Sequence, residues 1–248
     1  MKTVSYSYSY SYSAFASIIL PTIILPFLFL PGCSPPTQTV EPSLTEQLTA
    51  IRDGSTDLIL LESTPLSDTD LDVFANVPGL RILQLDHAEN NLSGAGMTEI
   101  AKLTQLEHLR IRGSSIGDDG LKALSTMPNL RVLNLPQGKF TDAGLAHLKK
   151  LPKLQMLRIG SPQVTDAGIA ALKDFPALRR VHLIDIPITD RGLADLQSIP
   201  KLESLYLDGA NISDAAVDEL FRKRPNLHVH FNQVHHDRDP HKNDHPHD

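Results

Sequence analysis

Apolar residues return along most of this chain with a period of 24. In the segment that begins at Leu130, leucine occupies places one, four and six (Leu130, Leu133, Leu135), and place five varies. That alternation is the period of a half-buried strand. Phe140 then precedes Thr141-Asp142, and Leu145, Leu148 and Leu151 follow as one stripe ahead of Pro152. The same order recurs from Leu106, Leu154 and Leu178, with looser copies from Thr56, Leu80 and Leu202. Each copy predicts a strand, a turn and a short helix. Ser67, Ser93, Thr141, Thr165, Thr189 and Ser213 stand where the helix needs an N-cap, a bond worth about 0.5–2 kcal/mol. Asp68, Asp118, Asp142, Asp166, Asp190 and Asp214 favour the positive end of the helix dipole. Pro78, Pro128, Pro152, Pro176 and Pro200 then stop each helix ahead of the next strand.

A unit of 24 residues cannot bury its own apolar face, but identical units can share an interior by stacking. Residues 56–226 hold seven such units. The pattern resembles a leucine-rich repeat of the helix-bearing, ribonuclease-inhibitor-like kind. That resemblance implies an α/β solenoid shaped as a horseshoe, with a parallel sheet on the concave face and helices on the convex face. One departure concerns place nine, where many such families carry Asn, Cys or Thr bonded to the loop backbone. Here it holds Thr64, Ala88, Ser114, Gly138, Pro162, Ile186 and Ala210, so loop rigidity must come from elsewhere. The ends need covers. Ser43-Leu44-Thr45-Glu46 has capping-box spacing, and residues 43–55 are expected to form an N-terminal cap helix closed by Gly54. Residues 227–232, where Leu227, Val229 and Phe231 alternate with His228, His230 and Asn232, predict a final strand with one polar side.

In a leucine-rich repeat, places three, five and seven point away from the core. Place five runs Leu60, Gln84, Arg110, Asn134, Arg158, His182, Tyr206. Place three contributes Arg180 and place seven Arg112. Arg110, Arg112, Asn134, Arg158, Arg180, His182 and Tyr206 are therefore the candidate partner-binding residues, since Arg forks suit carboxylates and phosphates. The alternative is that these arginines only separate like charges in an acidic protein. The expected partner is an envelope or extracellular protein, met by a monomer.

Ahead of the repeats, Ala14 to Leu30 is uncharged and apolar and follows Lys2 and a Ser-Tyr tract. That arrangement predicts an export signal over residues 1–32; Pro21 and Pro26 argue against a membrane-spanning helix. Leu30-Pro31-Gly32-Cys33 resembles a bacterial lipobox, which implies that Cys33 is acylated and anchors the protein in the bacterial cell envelope. An ordinary cleaved signal with a spare thiol is the alternative. Residues 33–42, rich in proline, would then be a tether.

Composition removes several functions. The net charge of −6 argues against a nucleic-acid binder with a global basic footprint. Cys33 is the single cysteine, which excludes an internal disulfide framework. No phosphate loop, HExxH or G-x-S-x-G motif is present, so the chain is read as a non-catalytic binding or scaffold module without a resident cofactor. Residues 233–248 hold five of the 11 histidines (His235, His236, His241, His245, His247) together with four aspartates, and imidazole and carboxylate are both metal ligands. These can hold a divalent metal loosely, and a metal-sequestering role for the tail is the second reading. A solvated, disordered tail is the plainer one.

Overall fold

The computed structural model describes residues 41–88, 91–235 and 239. Its strands are β1 (Leu58–Leu61), β2 (Ile82–Leu85), β3 (His108–Ile111), β4 (Val132–Leu135), β5 (Met156–Ile159), β6 (Arg180–Ile184), β7 (Ser204–Asp208), β8 (His228–Phe231) and β9 (Val234–His235). They form one open sheet in sequential order. The first eight pair in parallel, and β9 returns antiparallel to β8. Each strand is in register with the equivalent place of the next repeat, as in Leu133↔Leu157 and Leu157↔Val181.

The helices are α1 (Leu44–Arg52), α2 (Gly94–Ala101), α3 (Asp118–Leu124), α4 (Asp142–His147), α5 (Asp166–Ala170), α6 (Asp190–Leu196) and α7 (Asp214–Lys223). Strands neighbour each other at ~4.8 Å, whereas packed helices need roughly 8–10 Å. A stack with one of each per repeat must therefore curve with its strands on the inside. The helices are shorter than the repeats suggest. The first repeat has only a 3-10 segment, Asp68–Phe74, and α4 and α5 run on as 3-10 turns over Leu148–Lys150 and Ala171–Asp174. At Ser67 the hydroxyl donates to Asp70 Oδ2 at 2.6 Å rather than accepting a helix amide. The interior is the expected one: Leu80, Leu106, Leu130, Leu154 and Leu178 at place one are fully buried, as are Leu83, Leu109, Leu133, Leu157 and Leu205.

The helix starts carry a device that links repeats. Thr141 caps α4 by accepting the Ala143 amide. Its own amide and hydroxyl donate to Asp118 of the preceding repeat, at 2.7 and 2.8 Å. Asp142 holds Thr165 in the same way, Asp166 holds Thr189, and Asp190 holds Ser213. Asp68 holds Ser93. A carboxylate accepting two bonds is favoured in its charged form, and the Ser213 hydroxyl and amide hold Asp190 below the usual carboxylate range. The ladder has one gap, where Gly94 replaces the aspartate and Gly117 replaces the capping residue of α3. Both halves of the bond are missing together. These links, with backbone bonds such as Gly138 N–H to the Gly160 carbonyl at 2.6 Å, supply the loop rigidity that place nine does not.

One sheet edge is closed by side chains and the other by a returning strand, as exposed strand edges require. At β1, Gln47 of α1 behaves as a short strand: Oε1 accepts the Leu60 amide at 2.7 Å, and Nε2 donates to the Leu60 carbonyl at 2.8 Å. Glu41 accepts the amides of Glu62 and Ser63. The predicted capping box at Ser43 and Glu46 is present, and Gly54 ends the turn after α1 with φ +80°. At the other end β8 lies within the predicted final strand. The chain then reverses at Asn232-Gln233, with φ of 49° and 67°. Two residues at positive φ define a tight type I′ hairpin, a conformation that costs a non-glycine residue such as Gln233 about 1 kcal/mol. Residues 234 and 235, expected in the loose tail, thus belong to the sheet, and Asp239 is buried at 2%. Among the described residues no helix is long and apolar enough to cross a membrane.

Candidate functional site

In-register stacking turns each place of the repeat into a row across the sheet. Strands β1 to β5 alternate half-buried and buried residues, so places three and five stay open to solvent while places four and six fill the core. The place-five row extends one repeat beyond Tyr206, to His230 in β8.

The row is a wired network rather than a set of loose cations. Arg110 Nη2 donates to Asp86 Oδ2 at 2.5 Å, and Arg112 Nη1 lies 3.6 Å from the same oxygen. Arg158 reaches both neighbours: Nη1 donates to Asn134 Oδ1 at 3.1 Å, and Nε donates to His182 Nδ1 at 3.2 Å. Because His182 accepts at Nδ1, its proton sits on Nε2, which donates to Asp208 Oδ2 at 2.8 Å. Asn134, Arg158, His182 and Asp208 therefore form one hydrogen-bonded chain across four strands. Burial, and then the adjacent Arg110 charge, push the His108 imidazole down to about 4. Arg180 is exposed and makes no ion pair among the described residues.

Of the seven residues singled out for partner binding, all lie on this face. The structure brings Arg110 and Arg112 together at Asp86, and Asn134, Arg158 and His182 into one chain. Tyr206 stacks on His230 with ring centroids 4.5 Å apart, and Arg180 stands apart. Of the metal candidates, His235 is described. His236, His241, His245 and His247 lie outside the described residues, as do Cys33, the export signal and most of the tether.

His235 does not sit with a tail. It pairs with His230 across the hairpin, and His228, His230, His235 and Asp239 gather at the C-terminal end of the face, with one potential ligand atom from each all within 4.8 Å of one another. His228 Nε2 and His230 Nε2 are 3.0 Å apart, and Tyr206 Oη lies 3.1 Å from His228 Nε2. Asp239 Oδ2 accepts the Val229 amide at 3.0 Å and lies 3.0 Å from His228 Nδ1. Burial, then the neighbouring His235 and His228, push the His230 imidazole down to about 4, against an opposing pull from Asp239 and the Gln233 backbone. Sequence reasoning read His228 and His230 only as the polar side of a strand and placed Asp239 among the carboxylates of a loose tail. The available signal was the i, i+2 spacing of the two histidines, which puts both on one face.

An open, in-register parallel sheet backed by short helices, built from 24-residue units, is a leucine-rich repeat solenoid. Residues 102–125 match the family model described as a leucine-rich repeat. Among solved structures, an internalin from Listeria monocytogenes str. 4b F2365 is similar in fold: TM-score 0.50 and 21% identity, covering 63% of this chain and 49% of that one. The chain thus spans about half the length of that internalin. No curated protein matches it by sequence.

Proposed function

We propose that this chain is a non-catalytic docking module that meets a protein partner through the sheet face of its repeats. The observation that carries this reading is the face itself. Apolar side chains stay half-buried at places three and five (Leu58, Leu60, Ile82, Val132, Met156) beside arginines already bonded to neighbours on the face. Arg110 and Arg158 lose little freedom on binding because they are fixed beforehand, and preorganisation of that kind favours association. They act as framework. Arg180, exposed and next to Met156 in register, is the cation left to meet an acidic group. Export and anchoring through lipid on Cys33 complete the proposal, and they rest on the lipobox resemblance alone. With the protein so placed, the partner belongs to the envelope or the exterior.

The test is photo-crosslinking from Met156 and Arg180 in the native envelope, alongside the double variant Met156→Glu/Arg180→Glu. Both side chains sit on the open face, so the variant is expected to melt as the parent does. Loss of a central contact costs about 2 kcal/mol or more, so the crosslinked partner should fall by over tenfold. An unchanged set of crosslinked proteins would remove the face from the function.

A further inference from the structure

We propose that His228, His230, His235 and Asp239 form a site for one divalent transition-metal ion of the zinc type, which locks the C-terminal hairpin onto the edge of the sheet. This site lies beyond the docking reading and does not depend on it.

The placement is dictated by the backbone. His228 and His230 alternate along β8 and so share one face, and the Asn232-Gln233 reversal sets His235 directly opposite His230. The left-handed pair Asn232-Gln233 is a strained way to turn a chain without glycine, and strain of this sort persists where surrounding structure holds it. Asp239 is then carried in over β8 and fixed by the Val229 amide. Four donor groups from a 12-residue stretch thus converge without any long side chain having to be ordered.

The donor chemistry selects the ion. Three imidazoles and one carboxylate suit zinc, with nickel and copper as competitors, and disfavour magnesium and calcium, which take oxygen ligands. Zinc–nitrogen bonds of about 2.0–2.1 Å in a tetrahedron place ligand atoms roughly 3.3 Å apart. His228 Nε2 and His230 Nε2 are already 3.0 Å apart, and the full set falls within 4.8 Å. Side-chain rotations close the remainder.

The outer contacts also fit. A ligating histidine commonly gives its second ring nitrogen to a carboxylate or carbonyl. Here the His230 ring bonds the Gln233 backbone, and the Asp239 carboxylate is itself held by the Val229 amide. The Nε2 atoms of His228 and His230 lie 3.0 Å apart. Tyr206, stacked on His230 and 3.1 Å from His228 Nε2, closes the far side.

Four protein ligands leave no open position, which marks a structural site. The ion would hold β9 against β8 and so finish a solenoid whose terminal repeat needs a cover.

The experiment is titration of zinc chloride into the metal-free full chain by calorimetry. It compares the parent with His230→Gln, with His235→Gln, and with a tail variant in which His236, His241, His245 and His247 are alanine. The parent and the tail variant should each bind one strong equivalent. His230→Gln and His235→Gln should each weaken it by about 10–100-fold or more. Cobalt substituted for zinc should give the visible absorption of a tetrahedral site in the parent and lose it in both Gln variants. Zinc should also raise the melting temperature of the parent and not of the Gln variants, whose melting in chelator should match the parent's. A strong equivalent that survives in both Gln variants and disappears from the tail variant would overturn the site, as would no binding below millimolar zinc in the parent.

Discussion

Leu157→Ala is expected to lower the free energy of unfolding by about 2–5 kcal/mol, the range for truncating a buried leucine. Leu157 sits at place four of the central strand β5, fully buried, between Leu133 of β4 and Val181 of β6. In a solenoid each repeat touches only its neighbours, so stability is close to a sum over interfaces. A cavity at Leu157 weakens two interfaces at once. Leu48 in the cap helix, also buried, faces one neighbouring repeat. Urea unfolding followed by circular dichroism should therefore show a larger loss for Leu157→Ala than for Leu48→Ala. A loss under about 1 kcal/mol at Leu157 would mean that the repeats do not share one packed interior.

Gly168→Ala is expected to cost about 1–3 kcal/mol, the penalty of forcing a methyl group into filled space. A Cβ at this position would stand 2.3 Å from Asp142 Oδ1 and 3.1 Å from the Asp142 Cα. The glycine is there because the carboxylate of the preceding repeat passes over it on the way to Thr165. Gly144 stands in the same relation to Asp118, and Gly192 to Asp166. Asp142→Ala alone is also destabilising, because it strips acceptors from the Thr165 amide and hydroxyl. Combining the two changes should cost clearly less than their sum, since removal of the carboxylate makes room for the methyl group. Contacting residues couple in this way by about 0.5–3 kcal/mol. Strict additivity in the double variant would show that the carboxylate and the glycine are independent and that no inter-repeat ladder exists.

Much of this was legible in the chain because its causes are local. Strand alternation, the Thr and Ser caps, the capping box at Ser43 and the open-face rows follow from spacing within one repeat. Register puts Arg110, Asn134, Arg158 and His182 in one row, as counting did, but His182 is buried under its neighbours rather than open to solvent. What the spacing hid were contacts reaching one repeat ahead. The aspartate after each cap already had a sufficient local explanation in the helix dipole, so its bond to the next repeat and the glycine that bond requires went unread. The Arg110–Asp86 pair joins two different rows, which no single row reveals. At the C-terminus the hairpin carries Asn232-Gln233 in place of a glycine turn, so nothing in the composition marked a return strand. His235 stands in sequence with the tail histidines, and Asp239, ten residues beyond the amide it binds, with the tail carboxylates, so spacing alone ties neither to β8.

The register is the claim on which the face, the ladder and the histidine cluster all depend, and it can be measured directly. With Cys33 replaced by serine, Val132→Cys/Met156→Cys places two thiols on adjacent strands at paired positions. Val132→Cys/Ser204→Cys places them three strands apart, about 14 Å at ordinary strand spacing. Treated with a short bifunctional thiol reagent, the first pair should crosslink within the native protein and the second should not. Failure of the first pair, or equal yields from both, would contradict the stacking described here.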